Sequence, residues 1–534
     1  MPSTKPFQLI LTRALLLAPD GRSVYPGDLG VRNGRIAALT PPGGLKDERS
    51  DRMLDIQDML VIPGFWDSHL HLAESARALL EINLRYCADP LDFARLLREA
   101  DKAAEPGAFL LGQGWEEDRV LRGETPTRTA LDRICADRCV ALFRLDGHSV
   151  WLNTRAVEEL GVGKLSFPPS LLPRGEDGTP VGILYEKAVI SILSMVQRHL
   201  PPGYQRRAIR EAARAFNAAG ITSVNDICTG YPANQWLYRK MQRGGELPLR
   251  VTTGSYGPSF LSRLAFCALR ACNTEHLRVG PDKYYLDGGF GSRTAALREP
   301  FADQPGNHGL LTYSDGELTQ IVRRSLRWHK HASLHVIGDL ALEQLLTVYE
   351  RLGSRPALRH RVEHLQYTTL DDLNRFKNLG FIASMQPVFL HERDLTLACL
   401  GRERMQGAYR FGSFLAAGIP MLFNTDFPFG GGRYPVKPNG SPYQGFEPLL
   451  GLHAAATLHH LPTERITAAD ALRAYTATPA WANFAEDELG SLKEGYRADL
   501  AVLDRSILER PPEELLETRV LLTVLGGRVV HEGG

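Results

Sequence analysis

The chain has 534 residues, with 62 Lys and Arg set against 61 Asp and Glu for a formal net charge of +1. That balance, without a long block of either sign, argues against nucleic acid or an anionic membrane as partner and leaves a small, roughly neutral molecule as the expected substrate. The length fits one large α/β barrel with additions, or several ordinary domains.

Seven cysteines (Cys87, Cys135, Cys139, Cys228, Cys267, Cys272 and Cys399) are thinly spread, odd in number and free of any CxxC spacing. Reduced thiols and a cytoplasmic location are expected from that usage. The opening "MPSTKPFQLILTRALLLAPDG" has an apolar middle, but Arg13 interrupts it and "APDG" reads as a turn rather than a cleavage site. No apolar run approaches the roughly 20 residues that span a bilayer.

Residues 7–40 give short strand-like runs, and "VRNGRIAAL" signals a hairpin, because Asn-Gly supplies the positive φ angles of a two-residue turn. The far end repeats this style in "RADLAVLD" and "VLLTVLGGRVVHEGG". Residues 1–62 and 484–534 are therefore expected to combine into one β-sandwich, since neither piece alone has enough strands to bury a face. Between them, eight strand-like runs (65–71, 221–228, 250–255, 283–288, 333–337, 361–365, 381–386 and 421–426) alternate with helical stretches. Examples are 204–220, ending at Gly220, and 315–331, with Asp315 as a candidate N-cap. This alternation predicts a (β/α)₈ TIM-type barrel over 63–483. Residues 73–203 are too long for one crossover and carry strand-like runs of their own, so an inserted subdomain is expected there, after the first barrel strand and near the end where barrel enzymes keep their sites.

Within "VIPGFWDSHLHL" (61–72), His69 and His71 point the same way along an extended strand, and two neutral imidazoles on one face can share a metal ion. Lys283 lies in the fourth run, His335 in the fifth, His364 in the sixth, and Asp426 ends the eighth. Each alone has an ordinary explanation, such as a snorkelling lysine, a core histidine or a capping aspartate. Six such residues on five different barrel strands are instead expected to converge on one cavity.

In these residues the sequence resembles the amidohydrolase superfamily, whose members carry HxH on strand one, lysine on strand four, histidines on strands five and six and aspartate on strand eight. Stretches such as "GWEEDRVLRGETPTRTALD" (114–132), "KYYLDGGFGSRTAAL" (283–297), "RVEHLQ" (361–366), "ASMQP" (383–387) and "GSLKEGYRADLAVLD" (490–504) are closest to its family 3 branch, which includes N-substituted formamide deformylases. The resemblance implies that His69, His71 and Asp426 hold one divalent metal ion and His335 and His364 a second, with Lys283 bridging them as a carbamate. An unmodified Lys283 goes with a single ion. Zinc suits imidazole with carboxylate, although manganese, iron, nickel or cobalt can take the same donors. Two departures stand out: Phe389 occupies the position where the branch shows a histidine, with His391 two places on, and "NTD" (424–426) replaces the usual Gly-Ser-Asp.

The expected chemistry is attack of metal-activated hydroxide on an amide, N-acyl or cyclic amide carbon, with Asp426 moving the proton to the leaving nitrogen. Trp115, Asp118, Arg119, His148 and Arg293 are candidate substrate contacts, each with an ordinary structural alternative. Deamination, decarboxylation or isomerisation on the same barrel remains a competing reading. A non-catalytic binding relative would be expected to have lost ligands that this chain keeps. The chain is compatible with a homodimer.

Overall fold

The eight strand-like runs are eight strands: β1 (Phe65–Leu70), β2 (Ile221–Asp226), β3 (Arg250–Ser255), β4 (Leu277–Tyr285), β5 (Ala332–Val336), β6 (Arg361–His364), β7 (Ile382–Met385) and β8 (Met421–Phe423). The structure, a computed structural model, describes residues 5–105, 107–145, 147, 149–227, 232–255, 273–430 and 432–533. In it each strand pairs in parallel with the next in sequence order. Right-handed strand–helix–strand crossovers make this the natural order for a (β/α)₈ barrel.

The ring is completed beyond the short β8. The Asp426 backbone N–H donates to the His69 carbonyl at 2.7 Å. Asp67, in β1, accepts the Thr425 hydroxyl at 2.5 Å and its backbone N–H at 3.2 Å. The same bonds that finish the barrel thus bring Asp426 beside His69. Helices follow the strands, and Asp315–Arg327 shows why sequence placed its start one residue late. Ser314 is the N-cap, its hydroxyl accepting from the Glu317 N–H while the Glu317 carboxylate accepts from the Ser314 N–H. That reciprocal pair satisfies two otherwise orphaned donors.

Strands from both ends join into one eight-stranded sheet, in which Leu60–Pro63 pairs antiparallel with Leu500–Leu503. The Asn-Gly hairpin forms as expected, with Asn33 and Gly34 at φ 53° and 73°. The strands from the two ends follow one hydrogen-bonded path that branches at Leu9–Leu17. An irregularity around Arg13 (φ 52°) divides that strand's edge between Met53–Asp55 and Leu60–Val61. The sheet is tied to the barrel by a buried Arg250–Asp499 pair.

Residues 73–212 with 428–433 form a second compact unit. Its five-stranded sheet runs in the order Ile183–Tyr185, Ser149–Leu152, Val140–Arg144, Leu110–Trp115, Ile82–Asn83. Segment 428–433 is fastened to it by the Arg85 guanidinium, which donates to the carbonyls of Pro428 and Gly430. Among the described residues no helix is long and apolar enough to cross a membrane, and the described cysteines Cys87, Cys135, Cys139 and Cys399 are buried free thiols.

Candidate metal centre

His69 leaves β1 facing the barrel interior, because alternation sets it on the side of Asp67. Its Nδ1 lies 2.8 Å from Glu363 Oε2, and its Nε2 lies 3.3 Å from Asp426 Oδ1. His71, just past the strand, puts Nε2 3.2 Å from the same oxygen. Two ligands about 2.1 Å from one tetrahedral ion stand about 3.4 Å apart, so these separations suit a shared cation. His364 completes a group in which donor atoms of His69, His364 and Asp426 lie within 4.8 Å of one another, all three residues being buried. Alternation alone would turn His364 outward with Val362. Its φ of 77° swings the ring back inside, and Asp426 also sits at positive φ, 56°. Non-glycine residues held there store strain that the surrounding bonds must oppose.

His335 ends β5, its ring centroid 4.3 Å from that of His364. Its Nε2–H donates to the Gly288 carbonyl at 3.1 Å, which leaves Nδ1 as the nitrogen with a free lone pair. Lys283, buried in β4, places Nζ 3.5 Å from His69 Nε2 and 4.9 Å from the centroid of the Tyr285 ring. The structure therefore gathers His69, His71, Lys283, His335, His364 and Asp426 around one mouth of the barrel.

Electrostatics favours cation binding. Burial, followed by the charge of Lys283, pushes His69 down to about 4 and His335 down to about 3. His364 is lowered well below its ordinary value by burial and then by His335. Near neutral pH these imidazoles carry lone pairs rather than protons. Burial alone would raise Asp426, but His69, His71 and His364 beside it bring its carboxyl below the ordinary carboxylate range. Neutral imidazoles and one carboxylate are a donor set that fits a divalent ion.

Beneath these side chains is a polar layer that the sequence pattern did not single out. Glu363 accepts from Arg361, Ser333 and Ser384 as well as His69. Asp287 accepts the backbone N–H groups of Gly338 (2.8 Å), Ile337 (3.0 Å) and Ala296 (3.1 Å), fixing the loop after β4 to the exit of β5. Arginine and glutamate two apart in "RVEH" were the available signal, since alternation sends both into the barrel.

The expected substrate contacts are placed differently from one another. Trp115 is fully buried in the second unit, its indole N–H donating to the Leu142 carbonyl at 3.0 Å. Arg119 pairs with Glu116 at 2.9 Å and donates to the Arg85 carbonyl. Arg293, on the loop after β4, makes a bidentate pair with Asp303 and donates to the Phe290 carbonyl at 2.6 Å. His148 and the side chain of Asp118 lie outside the described residues. Phe389 is buried, and the His391 ring packs edge-on against Tyr434.

The sequence profile of the amidohydrolase family matches residues 52–531. The chain belongs to that family. Among amidohydrolase-family relatives and others it resembles, it is 28% identical over 551 residues to the protein LONG AFTER FAR-RED 3 of Arabidopsis thaliana, covering 98% of this chain and 91% of that one. It is 26% identical over 549 residues to an N-substituted formamide deformylase of Arthrobacter pascens, covering 98% of each. Its fold matches that of an uncharacterized metal-dependent hydrolase from Pyrococcus furiosus with a TM-score of 0.73 at 25% identity, covering 94% of this chain and all of that one. Family membership, this match and the ligand set together support an amidohydrolase with a divalent-metal site.

Proposed function

We propose that this amidohydrolase cleaves a carbon–nitrogen bond other than a peptide bond, in an amide, N-acyl or cyclic amide group, with zinc as its resident ion. The observation that carries the reading is one ionised carboxylate, Asp426, within 3.2–3.3 Å of two histidine nitrogens at the end of the barrel. An ion held by these residues would polarise a carbonyl and lower the pKa of a bound water from about 15.7 towards about 7. Asp426 accepts the proton of the attacking water on its carboxylate and returns it to the nitrogen, which leaves poorly unless protonated. The neutral His69, His335 and His364 contribute lone pairs rather than protons. Lys283 is the residue to become a carbamate when two ions are present, because an ammonium that close to His69 would repel them. The N-substituted formamide deformylase among the relatives supports this bond class.

Elemental analysis of the purified protein, followed by a panel of N-acyl amines, N-acyl amino acids and cyclic imides, tests the reading. Stoichiometric metal with release of amine and acid is expected. Ammonia release alone would indicate deamination, and metal-free protein of full activity would overturn the proposal.

A further inference from the structure

His69 and His364 are the ends of one continuous chain of buried hydrogen bonds. It runs from His69 Nδ1 to Glu363 Oε2 (2.8 Å), then to the Ser384 hydroxyl, to Asn424 Nδ2 (3.0 Å), from Asn424 Oδ1 to Gln386 Nε2 (2.5 Å), and from Gln386 Oε1 to His364 Nδ1 (3.0 Å). Every member of the chain is buried.

The polarity of this chain is dictated from one end. Glu363 is gripped by the Arg361 guanidinium, which can only donate, and by the hydroxyl of Ser333 at 2.6 Å. A carboxylate so bound accepts everywhere else, so His69 must donate from Nδ1 and Ser384 must give Glu363 its single proton. The Ser384 oxygen is then left to accept, which turns the Asn424 amide so that its NH₂ faces Ser384. The Asn424 carbonyl accepts from the Gln386 NH₂, and the Gln386 carbonyl is left facing His364. His364 in turn must donate from Nδ1. No amide in the series can flip without opposing donor to donor or acceptor to acceptor inside the buried chain.

We propose that the Arg361–Glu363 pair sets the tautomer of both histidines through Ser384, Asn424 and Gln386, so that each offers Nε2 to the metal centre. Glu363, Ser384, Asn424 and Gln386 are positioning residues. Asn424 stands where the usual family motif has Gly, a residue with no side chain to carry the relay, so the link to His364 depends on this departure from the motif. The role of Nε2 as a ligand rests on the metal-hydrolase reading, whereas the tautomers themselves do not.

The test uses the full chain labelled with ¹⁵N-histidine. In the metal-free protein, ring ¹⁵N shifts of His69 and His364 should both show protonated Nδ1. Asn424→Ala and Gln386→Leu should mix the His364 tautomers and leave His69 unchanged. Chelator competition should show metal affinity about 10- to 100-fold weaker in both variants. Gln386→Glu, which when protonated turns its O–H to Asn424 and its carbonyl to His364, should retain the wild-type tautomer. Glu363→Gln, able to present an NH₂ to His69, should shift the His69 tautomer. Protonated Nε2 at either histidine in the wild type would overturn the proposal, as would wild-type tautomers and affinity in Asn424→Ala. Absence of metal from the purified wild type would instead count against the hydrolase reading, because the tautomers are measured without metal.

Discussion

Replacing Asp287 by Ala probes how the scaffold holds the site. Its carboxylate accepts the backbone N–H groups of Ala296, Gly338 and Ile337 at 2.8–3.1 Å. Ala296 and Ile337 are themselves buried. The Ala variant strands three donors at about 1–3 kcal/mol each, and a water entering the vacated space can satisfy some of them, so a loss of about 3–6 kcal/mol is expected. Asp287→Asn should fall between wild type and Ala, because one amide oxygen can still accept while the NH₂ opposes a backbone N–H. The loss should extend to the site, since the loop released carries the Gly288 carbonyl that orients His335. Denaturant unfolding of the metal-free proteins gives the stability, and metal content after dialysis reports on His335. A change below about 1 kcal/mol with metal fully retained would refute the reasoning, because it would mean that the three donors have other partners.

Asp426→Asn should preserve the fold and lower turnover by about 10²–10⁴-fold, measured on whichever panel compound is cleaved; near-normal turnover would exclude Asp426 as the proton carrier. His360 is buried, with Nδ1 accepting the Ala332 N–H at 3.2 Å, and burial pushes it down to about 4. A base depressed in the folded state is protonated first in the unfolded one, so its share of stability is intact above about pH 6.5, declines as pH falls and levels off below about pH 4, for about 3 kcal/mol in all. His360→Gln should flatten unfolding free energy against pH across that window by about one proton. At φ 77°, His364→Gly should leave the metal-free protein about 1 kcal/mol more stable than His364→Ala, the reverse of the usual order in a strand, and equal unfolding midpoints would show that the backbone there is not strained.

The barrel and its six polar strand-end residues were legible because both depend on periodicities the chain carries openly: apolar runs spaced by helices, and charged or imidazole side chains at positions where such runs stop. The backbone turn that carries His364 into the barrel interior was not. Period two assigns that residue to the outer face with Val362, and only the left-handed backbone after Glu363 returns it to the interior, a torsion that no side-chain pattern announces. Trp115 illustrates a different ambiguity, in which an aromatic beside polar residues suggests a pocket wall or a core residue equally. Its indole N–H is satisfied by the Leu142 carbonyl within a buried cluster, and sequence does not distinguish a tryptophan that faces a ligand from one that closes a core. Asn424 lies between these cases. As a departure from Gly in the motif ending at Asp426 it was visible, but its meaning required knowing that Ser384 and Gln386, on a neighbouring strand and its exit, lie on either side of it. A polar residue where a motif normally has none is thus most informative once the topology shows which two groups it can join.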